Sequence, residues 1–401
     1  MPKGRTIVSR ENRKALIGEI EALRGSRVLA YVTSDRPPVP GQISNDAVRP
    51  LYHHLRKIGL VEKLDLFLYS TGGAIDVPWR INTALRTNGN TWAALVPFRA
   101  NSAATLLCLG ADEIVLGHHG ELGPIDPTMT FNRVVSAPGS GESTVVQDPV
   151  SVEDIMTYLK FIKEQAGLSD QAALATGVSK LTERMDAVSL GSVYRTFSHI
   201  RDVARRMLLS QSRPQNEQTI STIVETLAEK VHAHGHAIGI RAAEEIGLPA
   251  KKAEEKLDGL MWRLLEEYET DLKLREPLDP FVVVAQNDVY TEEAVIAVVE
   301  AFDAVYEFAG QIQIKAKRRM PPTLNVSMNL NMQMPAQVAA AMQAMGPAAQ
   351  VMQQMLQQVM QQVQQIAMQQ AQQAVQEALK QQAPFVGFDI GFRGGRWRLG
   401  E

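Results

Sequence analysis

Between residues 10 and 126 the spacing of apolar positions switches repeatedly. In "ENRKALIGEIEALRG", "NDAVRPLYHHLRKIG", "AIDVPWRINTALRTN" and "SAATLLCLGA" apolar residues recur every three or four positions, which predicts amphipathic helices. The intervening "SRVLAYVTS", "KLDLFLYS", "TWAALVPF" and "DEIVLG" are short apolar runs and predict strands. Strands alternating with helices of this length are crossover units, so the expected fold is α/β, with a mostly parallel sheet and helices packed over it.

Residues 127–320 read as a mostly helical extension that completes the domain. In "SVEDIMTYLKFIKEQAG", Ser151 precedes the apolar periodicity and Asp154 follows three residues later, the pattern of an N-terminal cap. The stretch "PFVVVAQNDVYTEEAVIAVVEAFDAVYEFAGQIQIKAK" is expected to add a strand and then a helix. Residues 321–401 form a tail rich in Met and Gln. Within it Leu356, Val359, Val363 and Ile366 are spaced three, four and three apart, the seam of a coiled coil. That seam predicts a homo-oligomer; a disordered tail that binds a partner is the other reading of the same composition. The last segment, "FVGFDIGFRGGRWRLGE", combines aromatics with arginines and is read as a terminal interaction motif.

Composition narrows the function classes. A chain of 401 residues, 45% of them apolar, can bury a sizeable core. A formal net charge of −3 provides no basic field for a nucleic-acid polyanion, so no nucleic-acid partner is expected. The single cysteine, Cys108, fits a reducing compartment. Neither a secretion signal nor an apolar window of roughly eighteen residues is present, so the expected location is the cytoplasm, with no integral membrane segment.

Two strand ends carry the candidate chemistry. "LFLYSTGGAID" closes a strand on Gly72 and Gly73, whose peptide N–H groups no side chain shields; such donors suit a developing oxyanion. "VPFRANSAAT" closes another and places Ser102 among small residues at the start of a helix. Side by side in one sheet, the two ends would bring donors and hydroxyl into one crevice. A tight turn and a helix N-cap are the competing, purely structural readings of these residues.

In this order "STGG", "ANSAAT", "GADEIVLG" and "LGPIDP" resemble the serine dehydrogenase proteinase family, which is similar to signal peptide peptidase A and, more distantly, to the Clp protease and crotonase superfamily. The resemblance runs from about Arg13 through Asp126 and resumes more weakly at "HGHAIGIRAAEEIGLPA". It implies a Clp/crotonase-like core and a serine peptidase that acts on peptide or protein substrates. Ser102 would be the nucleophile, and Gly72 and Gly73 the oxyanion hole. No cofactor and no metal are implied. Relatives of the family are often membrane-linked, and this chain shows no anchor.

The resemblance leaves the base open. A Clp-type histidine would fall near Ile125 and Asp126, and none is there. Signal peptide peptidase A is similar in using a lysine, which burial can turn into a base. Lys160, between Tyr158, Leu159, Phe161 and Ile162, is the expected residue, with Lys163 and His199 as alternatives. His118 and His119 read as exposed turn residues. "HAHGH", residues 232–236, reads as a structural turn rather than a metal site. "KAKRR" and "RGGRWR" read as solvated ends. The alternative function is a catalytically silent scaffold that oligomerises and recruits partners through its tail; a thioester-processing enzyme finds no supporting motif.

Overall fold

The computed structural model describes residues 3–136, 143–167, 170–183, 185–230, 237–319 and 348–400, with 337 and 340 as isolated positions. Two compact units divide the chain. The first comprises Met1–Asp279, Glu292–Ile312 and Phe392–Glu401, and the second Pro280–Thr291 and Gln313–Gly391.

The first unit is α/β. It opens with α1 (Lys3–Arg24), β1 (Arg27–Thr33), α2 (Val48–Ile58), β2 (Val61–Tyr69), α3 (Val77–Asn88), β3 (Gly89–Val96), the two-residue β4 (Arg99–Ala100), α4 (Ala103–Cys108), β5 (Glu113–Leu116) and β6 (Glu121–Leu122). An antiparallel pair follows, β7 (Thr128–Ser136) and β8 (Ser143–Ser151). Helices α5 (Val152–Lys160), α6 (Gln171–Thr182), α7 (Ala187–Leu209), α8 (Glu217–Glu225) and α9 (Ile240–Ile246) lead to β9 (Ala250–Lys252) and α10 (Glu255–Asp271). The chain continues with α11 (Pro280–Val283) of the second unit, β10 (Val289–Ala301) and β11 (Ala304–Arg318), then α12 (Ala348–Gln382) of the second unit and β12 (Phe385–Leu399); the residues of these three strands divide between the two units.

The central sheet has the order β12-β11-β10-β1-β2-β3-β5-β9. From β1 to β9 every pairing is parallel, and β10 joins β1 antiparallel. Strands covered on both faces must be apolar at successive positions. In β1 and β2, Leu29, Tyr31, Leu64, Leu66 and Leu68 enter a core built with α2, α3, α4, α7 and α8. Their alternates Val28, Ala30, Val32 and Phe67 pack under α1 and α10. The capping role read for Ser151 is present: its hydroxyl accepts from the Asp154 N–H at 3.1 Å.

The extension differs from expectation in being less helical. β7 and β8 form a paired ribbon, and residues 289–318, read as a strand and a helix, make two long strands instead. Dense Val, Ile, Tyr and Phe in this stretch suit a pleated, half-buried surface, and burial along β11 roughly alternates. The aromatic and arginine-rich end is also a strand, β12. In the second unit, the rings of Phe281, Phe385 and Phe388 cluster with centroids 4.7 to 5.3 Å apart, and Arg318 pairs with Asp288 at 2.8 Å.

His54 on α2 is buried against the sheet and hydrogen-bonds the Val299 carbonyl at 3.1 Å, its ring edge-on to Tyr306. Burial holds its imidazole at about 4, against 6.5 for a free histidine. The unfolded chain therefore takes up a proton that the folded one refuses. The stabilisation is complete above pH 6.5 and is lost as the pH falls through 4. The loss amounts to at most about 3 kcal/mol. A His54→Gln variant should show a flatter stability profile across that window by denaturant titration; profiles that stay parallel to the parent would show that His54 is not the titrating group.

Candidate active site

The site is built from strand ends. β2 stops at Tyr69, and Ser70 bridges to the residues after β3: its N–H donates to the Arg99 carbonyl at 3.2 Å, and its own carbonyl accepts from the Asn101 N–H at 3.0 Å. The two ends that the sequence placed apart are therefore neighbours. Gly72, at φ 117°, packs directly on Ser102. A Cβ at position 72 would lie 2.8 Å from the Ser102 Cβ and 3.2 Å from its Oγ. At Gly73, with φ 151°, a Cβ would fall 2.2 Å from the Ile43 carbonyl oxygen. Glycine is required at both positions by what stands beside it.

Ser102 is itself held in an unusual conformation. With φ 53° and ψ −116° it is one of two non-glycine residues with positive φ among the described residues. Such backbone costs of order 1–3 kcal/mol and persists only where its surroundings impose it. Nearby, the buried Thr105 hydroxyl ties the adjoining backbone together: it donates to the Ala100 carbonyl at 2.6 Å and accepts from the Gly123 N–H at 3.0 Å. Ser102 precedes α4, yet its side chain caps nothing and makes no hydrogen bond among the described residues. The N-cap reading thus fails at the side chain, and a half-exposed hydroxyl is left free. Beside it the buried Asn101 Oδ1 also lacks a partner.

The two glycine amides are not equivalent. The Gly72 N–H is buried and donates to the Ser70 hydroxyl at 3.1 Å. The Gly72 carbonyl accepts from the Ile43 N–H at 2.8 Å. In a planar trans peptide the carbonyl and the next N–H point to opposite sides. Pinning the Gly72 carbonyl on Ile43 thus turns the Gly73 N–H away from it, and this half-exposed amide has no acceptor among the described residues.

The other singled-out residues are scattered over the first unit. His199 on α7 meets Asp76, three residues beyond Gly73, with Nε2 2.7 Å from Oδ1. Lys160 ends α5 exposed to solvent, and Lys163 is exposed as well, so neither has the apolar surroundings read from its sequence neighbours. Neither is joined to Ser102 by a hydrogen bond among the described residues. His118 and His119 are exposed as expected, His118 being tied to Asp258 at 2.8 Å. Asp126 is buried and accepts from the Ser151 hydroxyl at 2.7 Å, so it joins the GPIDP turn to α5. "HAHGH", 232–236, lies outside the described residues. Among those described, no three His, Cys, Asp or Glu side chains converge as a metal set, and no helix is long and apolar enough to cross a membrane.

Sequence reading missed Asp76, which is 123 positions from its histidine. It also missed Thr33, whose hydroxyl donates to Ser70 at 2.8 Å. Pairing of β1 with β2 brings Thr33 to Ser70, and packing of α7 against α3 brings His199 to Asp76.

No family model matches the chain. Two uncharacterized proteins of Methanocaldococcus jannaschii are similar to it: one is 27% identical over 117 residues, which is 28% of this chain and 40% of that protein. The other is 25% identical over 123 residues, 29% of this chain and 43% of that protein. The chain thus spans less than half the length of these relatives. Among solved structures, a serine-to-alanine mutant of a membrane-bound stomatin-specific protease aligns with 56% of this chain and 79% of its own, at 13% identity and a TM-score of 0.32. At such distances the functional reading rests on the residues of this chain.

Proposed function

We propose that the protein is a serine peptidase that transfers the acyl group of a peptide bond to Ser102. The observation that carries this reading is the strained, uncapped Ser102, its hydroxyl unbonded and packed on the Gly72 backbone. Strain of this kind concentrates at functional sites. In the proposed reaction Ser102 Oγ attacks the carbonyl carbon, and the oxyanion is stabilised at the Gly72–Gly73 turn, with the Gly73 N–H as the donor. The hydroxyl proton passes to the base and then to the departing amine; water releases the acyl group by the same route in reverse.

In this proposal His199 serves as the base in place of Lys160, supported by its contact with Asp76, three residues beyond Gly73. Its Nε2 faces Asp76, which fixes the tautomer and leaves Nδ1 able to accept a proton. Lys160 ends α5 exposed to solvent, and no hydrogen bond links it to the Ser102 turn among the described residues. The α/β fold agrees with the resemblance to the serine dehydrogenase proteinases, and that resemblance supports the roles proposed for Ser102, Gly72 and Gly73 and a protein substrate.

The test is labelling of the purified full chain with a fluorophosphonate, the adduct being located by mass spectrometry. Wild type should carry it on Ser102 and Ser102→Ala should not. His199→Ala should slow labelling by roughly 10²–10⁴-fold, while Lys160→Ala leaves it unchanged. The reverse ranking would return the lysine to the role of base. No adduct on Ser102 at any pH would favour the silent scaffold.

Self-association through α12 belongs to the same proposal. Met355, Val359, Val363 and Ile366 are exposed and lie within about an 80° arc at 100° per residue. No charged residue occurs between 348 and 376, so over that part of the helix no like charges oppose a second copy. Light scattering should show a mass that falls when Val359 and Ile366 are both replaced by Glu; an unchanged mass would remove α12 from the contact.

A further inference from the structure

We infer that Thr33 and Ser70 are positioning residues that set the direction of the Gly73 amide. The inference rests on the serine-hydrolase reading and adds to it how the oxyanion donor is selected.

Thr33 ends β1 and Ser70 follows β2. The two strands pair in parallel up to Val32 opposite Tyr69, so Thr33 and Ser70 are the next residues in register. Both are essentially sealed from solvent, at 1% and 0% exposure. The Thr33 hydroxyl donates to Ser70 Oγ at 2.8 Å. Ser70 Oγ also accepts from the Gly72 N–H at 3.1 Å, and its own proton points to the Gly72 carbonyl at 3.4 Å. A hydroxyl offers one donor and two acceptor sites. All three are occupied, so Ser70 has nothing left for a substrate and acts only through Gly72.

The arrangement grips Gly72 on both sides. Its N–H is held by Ser70, and its carbonyl by Ile43 and, more weakly, by Ser70. Glycine at φ 117° has no side chain to restrict it, so without these partners the peptide between Gly72 and Gly73 is free to rotate. Rotation would carry the Gly73 N–H with it, because carbonyl and N–H share one plane. Loss of Ser70 Oγ would also strand a buried N–H, which drives the turn toward another conformation. Thr33 contributes one step removed: with its hydroxyl on one lone pair, the other lone pair of Ser70 faces Gly72.

The experiment compares hydrolysis of a p-nitrophenyl ester with that of its thiono analogue, in which sulfur replaces the carbonyl oxygen. Sulfur accepts hydrogen bonds weakly, so a well-aimed donor accelerates the oxygen ester selectively. Ser70→Ala should lower kcat/KM for the oxygen ester by roughly tenfold to a hundredfold, less than deletion of an oxyanion donor, and leave the thiono ester nearly unchanged. Thr33→Val should shift the ratio in the same direction but less, and Ser70→Thr, which keeps a hydroxyl, should restore it. Equal losses on both esters in Ser70→Ala and Thr33→Val would reduce the pair to a structural role and overturn the inference. Should Ser70→Ala fail to fold, the Thr33→Val and Ser70→Thr ratios decide. If wild type shows no Ser102-dependent turnover of either ester, the hydrolase reading falls and takes this inference with it; turnover with an unshifted ratio removes the inference alone.

Discussion

A single methyl group on Gly72 would stand 2.8 Å from the Ser102 Cβ, closer than real Cβ atoms approach. Keeping that space empty constrains both strand ends at once. The backbone after β2 must carry glycine to come so near, and the backbone after β3 must hold Ser102 at φ 53° to meet it. Neither end would settle there alone. Ile43, from the loop before α2, joins the arrangement by exchanging hydrogen bonds with Gly72 and Ala74. Three separate segments thus converge where parallel strands stop, and in open α/β sheets that is where ligands are usually found.

The sheet beneath supplies the rigidity this requires. β1, β2 and β3 are buried on both faces, and the layer under α1 and α10 is pinned by ionic contacts as well as by packing. Arg13 on α1 reaches Glu300 on β10 at 2.6 Å and also pairs with Asp271, while the Tyr268 hydroxyl donates to Glu300 at 2.9 Å. A buried cation left with one partner removed costs several kcal/mol. The cluster therefore fixes where α1 and α10 lie against the strands and adds no chemistry of its own. Polar groups near the site are arranged differently: the Ser102 hydroxyl, Asn101 Oδ1 and the Gly73 N–H have no hydrogen-bond partner among the described residues, while Ser70 and the Gly72 amide and carbonyl are bonded. Unsatisfied groups brought together at two adjoining strand ends fit a place that receives a substrate better than one that only turns the chain.

Much of this was legible in the sequence. The alternation of strand and helix through residue 126 corresponds to the elements found, and Gly72, Gly73 and Ser102 were readable because each signal sits within a few residues. What failed was inference from neighbours along the chain. Lys160 looked embedded among Tyr158, Leu159, Phe161 and Ile162, yet successive helical residues point about 100° apart. Their burial runs from half-buried through exposed to buried, and the lysine itself faces water. The long strands over 289–318 were misread because a dense apolar run fits a helix or a strand until a partner is known, and β1, the partner of β10, lies more than 250 residues away. Thr33 and Asp76 carried no local signal at all.

The proposed base differs in kind from the rest of the site. Ser102 and the glycines are held by backbone bonds at sheet ends, whereas His199 and Asp76 approach from the surface, with side chains 44% and 74% exposed. An exposed pair of this sort is worth at most about 1 kcal/mol. It orients the imidazole without locking α7 to the turn. On the proposed reading, one half of the machinery is pre-organised and the other is only loosely attached. The costly strain is thus stored where charge would develop on the substrate, and the group that moves a proton stays in contact with water.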